Sequence, residues 1–114
     1  MRNTRPIVWL KAARRDFEDF PEKARDRLLD ALTVVAEGGM PSIAKQLRGF
    51  GSGVLELALA FRGDAFRVVY AVQLGTDVWI IHAFQKKSKT GIRTPKQEID
   101  LIEARLRRVK EMAQ

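Results

Sequence analysis

The residues best equipped for chemistry in this 114-residue chain are cations gathered around one histidine. The run VWIIHAFQKKSKTGIRTP, residues 78–95, opens apolar, carries His82, and then turns basic through Lys86, Lys87, Lys89 and Arg93. Arg67 lies in the middle of FRVVY, Arg62 precedes a Gly-Asp pair, and Lys45 and Arg48 flank the glycines Gly49, Gly51 and Gly53. Side chains of this kind hold phosphates: arginine grips phosphate oxygens in a fixed fork, and lysine is a mobile point charge. Histidine alone among side chains has an ordinary pKa near neutrality. Metal-free cleavage of RNA needs the 2′-hydroxyl deprotonated, the charged phosphorane stabilised and the leaving 5′-oxygen protonated. Cations serve the second need, and His82 or a carboxylate serves the others. With one histidine, a two-histidine mechanism is closed to this chain, and with no cysteine so are thiol nucleophiles and the usual zinc sites.

Each candidate has a plain structural reading beside the functional one. His82, flanked by Ile80 and Phe84 at alternate positions, reads equally as a core histidine. Arg67 sits mid-strand, where an arginine faces solvent or a groove, yet Glu56 offers it a cross-strand partner. Glu56 is then a neutraliser of that arginine rather than a base. Arg62 is either a solvated turn charge or a phosphate contact. Lys86 and Lys87 read as a basic loop or as phosphate-positioning groups. Lys45 and Arg48 are candidates for contact with RNA or a partner protein. The three glycines lack the lysine pattern and strand–loop–helix setting of a nucleotide-binding loop. Tyr70, Trp79 and Trp9 read as core.

Composition sets the class. Apolar residues make up 46% and charged residues 31%, the balance of one soluble globular domain spanning 1–114. The formal charge of +7 is uneven: residues 41–96 hold nine Lys/Arg against three Asp/Glu, while the segments on either side are nearly balanced. That excess favours an anionic partner. No apolar run approaches the roughly 20 residues that cross a bilayer. The first apolar patch is too short for a secretory signal. A cytoplasmic protein, without membrane partner, metal or cofactor, is expected.

The elements that must position these residues follow from periodicity. RPIVWL, residues 5–10, reads as a short strand, with Pro6 marking an edge. Two helical segments follow, over Lys11–Asp19 and from Pro21 until Gly38-Gly39; Ala24, Leu28, Leu32 and Val35 form the apolar stripe of the second. Residues 40–53 read as a linker. Three strands then form a meander: Val54–Phe61, Phe66–Gln73 and Val78–Gln85, with Gly63-Asp64 as the first turn. Strict alternation puts Val78, Ile80, His82 and Phe84 on one face of the third strand. Thr94, Pro95 and Gln97 spell a capping box for a last helix with a stripe of Ile99, Ile102, Leu106 and Val109. The order β-α-α-β-β-β-α implies an α+β domain: an antiparallel sheet with a helical hairpin and a C-terminal helix.

LRGFGSGVLEL, FRVVYAV and IIHAFQKKSKTGIRTPKQEI, in that order, resemble the RelE/ParE toxin superfamily, in particular its phage-derived, HigB-like branch. The likeness covers about residues 5–112. It implies a microbial-ribonuclease-like sheet and a toxin of a type II toxin–antitoxin system. Such a toxin cuts mRNA on the ribosome and is silenced by a cognate antitoxin, here expected to be of helix-turn-helix type. It implies roles for Arg48, Arg67, Lys86 and Lys87. The chain departs from the RelE pattern at Glu56 and Ala58, where lysines are expected. The ParE side of the superfamily poisons DNA gyrase instead, and an inert antitoxin-binding module is a third reading.

Overall fold

A computed structural model describes residues 4–87 and 94–113. Strands β1 (Ile7–Trp9), β2 (Ala44–Gln46), β3 (Val54–Phe61), β4 (Asp64–Ala71) and β5 (Val78–Lys87) form one sheet in the order β1-β5-β4-β3-β2. Helices α1 (Lys11–Glu18) and α2 (Glu22–Ala36) follow β1, and α3 (Lys96–Met112) follows β5. This is the expected α+β domain with two additions. Three residues of the supposed linker form β2, an edge strand antiparallel to β3. And β1 runs parallel to β5, so the sheet is mixed, four antiparallel strands with one short parallel edge. Pro6 lies just before that edge, and its carbonyl accepts the Val78 N–H at 2.8 Å.

The alternation of β3 and β4 gives the sheet two unlike faces. Leu55, Leu57 and Leu59 pair with Tyr70, Val68 and Phe66 and look toward the α1–α2 hairpin. Phe20 packs edge-on against Phe66 at 5.0 Å, and Leu28, Leu32 and Val35 of α2 are buried in the same core. Burial also pushes the Tyr70 hydroxyl up to about 12, which keeps it neutral. The opposite face carries Glu56, Ala58, Arg67 and Val69, and α3 covers part of it through Ile102, Leu106 and Val109. The β3–β4 turn is Arg62-Gly63, with Phe61 paired to Asp64, one residue earlier than the sequence suggests. Both loop residues have positive φ, 54° and 86°. That is the geometry of a two-residue hairpin turn whose twist matches its strands.

A bulge changes β5. Val69 pairs with His82 but Tyr70 pairs with Ile80, so Ile81 is an extra residue in the strand. Strict alternation fails there, because a bulge flips every side chain beyond it. Ile80 therefore lies on the α1–α2 face, while His82, Phe84 and Lys86 lie on the face of Glu56 and Arg67. His82 and Ile80 do not share a face as alternation implies.

Candidate functional site

The polar face of the sheet is built around a carboxylate. Glu56 on β3 is fully buried, and Arg67 on β4 is 5% exposed. Arg67 pairs directly with Ala58 and Glu56 with Val69, so the two charges are diagonal neighbours. The small side chain of Ala58 leaves Arg67 room to lean across. Its Nη1 donates to Glu56 Oε1 at 3.1 Å. Lys45 of β2, the direct cross-strand partner of Glu56, brings its Nζ to 3.8 Å from the same oxygen.

Thr94 completes the arrangement. Its hydroxyl donates to Glu56 Oε2 at 3.3 Å and accepts from Arg67 Nη1 at 3.3 Å. The capping-box expectation is thus corrected. Thr94 lies just before the last helix, but Pro95 is the N-cap and no side chain caps α3; the threonine side chain is engaged with the sheet. Sequence reasoning missed Thr94 as a site residue because a Thr before Pro has a sufficient local explanation.

Lys86 joins from β5. It pairs with Ala65, next to the Arg67–Phe84 pair on the same face. Desolvation lowers its pKa first, and the nearby Arg67 and Lys45 charges lower it further against the opposing pull of Glu56. Four strands and the start of α3 thus contribute to one charged cluster. Its mouth is a groove of about 610 Å³, lined by Lys45, Gln46, Leu47, Arg48, Glu56, Thr94 and Ile99. Arg48 is exposed at its rim.

The structure therefore brings together Lys45, Arg48, Arg67 and Lys86. It does not bring Arg62 to them. Arg62 lies over the Phe61 ring at 5.0 Å, and Phe61 belongs to the α1–α2 face; the turn that requires its positive φ turns it away. Lys87 pairs through its backbone with Asp64 at the end of β5; its side chain lies outside the described residues, as do Lys89 and Arg93.

His82 occupies a separate network. It is 2% exposed, on the same sheet face as Arg67 but beneath α3. Its Nε2 meets Glu98 Oε1 at 2.7 Å, its Nδ1 meets Arg105 Nη1, and Phe84 stacks on its ring at 5.4 Å. Arginine only donates, so Nδ1 accepts and Nε2 carries the proton. That fixes a neutral ring. Burial lowers its pKa, the Glu98 hydrogen bond opposes this, and the Arg105 charge adds to the lowering. Asp16 of α1 stands 4.0 Å from the same Arg105 nitrogen. A second depression, about 330 Å³, opens here between α1 and α3 and is lined by Asp16, Asp19, Phe20, His82, Phe84, Glu98 and Leu101. It shares no lining residue with the basic groove. His82 ties α3 to the sheet rather than standing in the cation cluster.

Chemically, the groove offers several donors for anionic oxygens, a buried carboxylate that orders them, and a lysine made readier to release its proton. No described helix is long and apolar enough to cross a membrane.

The fold has relatives among known proteins. Among solved structures, the chain is similar to the E. coli toxin RelE, a mutant in the free state. Identity is 17% over 92% of this chain and 97% of that one, with a TM-score of 0.59. It is also similar to a chain of the toxin–antitoxin complex RelBE2 from Mycobacterium tuberculosis, at 19% identity over 78% of this chain and 98% of that one, TM-score 0.52. At such identities the likeness is one of fold. No curated protein matches the chain. The family model described as "Phage derived protein Gp49-like (DUF891)" matches residues 15–107, most of the chain, from α1 into α3. The chain belongs to the phage-derived Gp49-like family and is built on the RelE toxin fold.

Proposed function

We propose that the chain is the toxin of a toxin–antitoxin pair and cuts mRNA on the ribosome without a metal. The observation that carries this reading is the convergence of Lys45, Arg67 and Lys86 on one buried carboxylate at the mouth of a basic groove. Each residue has a task there. Lys45 and Arg48 hold the phosphates on either side of the scissile bond, where charge positions the strand without reading its sequence. Arg67, fixed by Glu56, presents a preorganised guanidinium to the charge that develops on the phosphorane, the kind of interaction that is largest in a dry site. The 2′-oxygen attacks the phosphorus and its proton passes to solvent; as the P–O5′ bond breaks, Lys86, with its lowered pKa, delivers a proton to the leaving 5′-oxygen, and a 2′,3′-cyclic phosphate remains on the other fragment. Lys87 enters this reading only as a candidate carried from the family resemblance. His82 acts through α3 and not on the substrate. A partner antitoxin, of helix-turn-helix type, silences the site.

The test is induced expression followed by mapping of message 5′ ends, with Lys86→Ala and Arg67→Ala in parallel. New ends inside translated frames, lost in both variants, are the expected result. Growth arrest with intact messages and broken DNA overturns the nuclease in favour of gyrase poisoning. Growth without arrest and without new ends leaves only an antitoxin-binding module.

A further inference from the structure

The Thr94 hydroxyl stands where three elements meet: Arg67 on β4, Glu56 on β3 and the first turn of α3. The hydroxyl gives Arg67 Nη1 a second acceptor beside Glu56 and gives Glu56 Oε2 a donor of its own. With it, both carboxylate oxygens are engaged, Oε1 by Arg67 and Oε2 by Thr94, and Nη1 is shared between Glu56 and Thr94. The carboxylate plane is thereby fixed, and the arginine with it. Thr94 also has no capping duty, since Pro95 is the N-cap and its carbonyl accepts the N–H groups of Glu98 and Ile99 at 3.0 Å each. A threonine that caps nothing and bridges a buried ion pair has a reason other than helix initiation.

We propose that Thr94 is a positioning residue of the cleavage site, acting through Arg67 and setting the guanidinium against the reacting phosphate. This rests on the nuclease reading above. A hydrogen bond to a charged group is stronger than one between neutral groups, so losing the hydroxyl loosens the setting of the guanidinium. The expected effect is about tenfold in the chemical step, which corresponds to about 1.4 kcal/mol. Thr94 also lines the groove beside Lys45 and Arg48, so the two roles separate by kinetics: acting through Arg67 it sets kcat, whereas holding the strand it would set KM.

The experiment compares the unsubstituted chain, Thr94→Ser and Thr94→Val in cleavage of a defined message on purified translating ribosomes, reading kcat and KM separately. Thr94→Val keeps the shape and removes the hydroxyl; Thr94→Ser keeps the hydroxyl. The expected result is kcat reduced about tenfold in Thr94→Val at unchanged KM, and kcat within about twofold of the unsubstituted chain in Thr94→Ser. Equal kcat in all three overturns the inference while leaving the nuclease standing. A rise in KM without a fall in kcat also overturns it, since Thr94 would then serve binding. Equal loss in Ser and Val assigns Thr94 to packing and overturns it too. If the unsubstituted chain cuts nothing, the nuclease reading fails, and the role of Thr94 with it.

Discussion

Arg67 and Glu56 behave as one unit. Both are buried, they share a hydrogen bond, and each offsets part of the other's cost of leaving water. Breaking such a pair from one side leaves a buried charge, at a cost of about 3–5 kcal/mol, whereas replacing both sides with apolar groups is often neutral or stabilising. Arg67→Ala should therefore lower the stability read from urea unfolding by about 3–5 kcal/mol, and Glu56→Leu combined with Arg67→Met should recover most of it. If the single and double variants unfold at the same urea concentration, the pair is not coupled. Lys86 gives the cleaner test of chemistry. It is partly exposed, so Lys86→Ala should stay within about 0.5 kcal/mol in stability while message cleavage falls. A sequence shows Glu56 as an acid in an apolar alternating strand, and its role as a neutraliser of Arg67 was readable from that. Thr94 was not readable as a site residue, because its contacts join positions far apart in the chain and the local capping pattern already accounted for it.

At the scale of elements, β5 and α3 decide what His82 does. Periodicity located both elements, but one extra residue, Ile81, changed which side chains share a face. A bulge leaves no mark in a run of β-branched and aromatic residues, since either register satisfies the same apolar pattern. The three residues of β2 were also beyond reach, too short for a period to show. As placed, His82 pins α3 from its first turn to its middle through Glu98 and Arg105, with Asp16 of α1 near Arg105 and Phe84 stacked on the ring. Protonation would put a hydrogen on Nδ1, facing the Arg105 guanidinium, and abolish the bond it accepts. The folded pKa is lowered, so the unfolded chain binds the proton more readily. Stability then rises with pH wherever the unfolded state holds more protons. The His82 contribution is fully present above the ordinary histidine value of about 6.5 and is lost as pH falls below it. Urea midpoints between pH 8 and pH 5 should fall toward the acid side, and His82→Gln should flatten that slope. A parallel slope in the variant would assign the acid sensitivity to other groups.

At the scale of the whole molecule, the +7 charge raises the question of whether the excess converges or scatters. Composition placed it in the middle of the chain, and only folding shows that part of it meets. Lys45 and Arg48 line one groove with Glu56, and Arg67 and Lys86 join them around that carboxylate from two other stretches of the sequence, while Arg62, equally cationic, is held over Phe61 on the other side of the sheet. Because Glu56 neutralises one of the four, the groove presents a net of about three positive charges to a strand. Each phosphate neutralised on single-stranded RNA contributes about −0.7 to the slope of log affinity against log salt. The groove's share of that slope is then about −2. Anisotropy of a short unstructured RNA, titrated across salt concentrations, measures it. Lys45→Ala or Lys86→Ala should each make the slope shallower by about 0.7, and Arg62→Ala should leave it unchanged, because a charge on the far face meets no phosphate of the bound strand. Equal effects from Arg62 and Lys45 would mean that RNA is held by diffuse attraction over the whole surface. In that event the convergence seen in the fold would be incidental to binding.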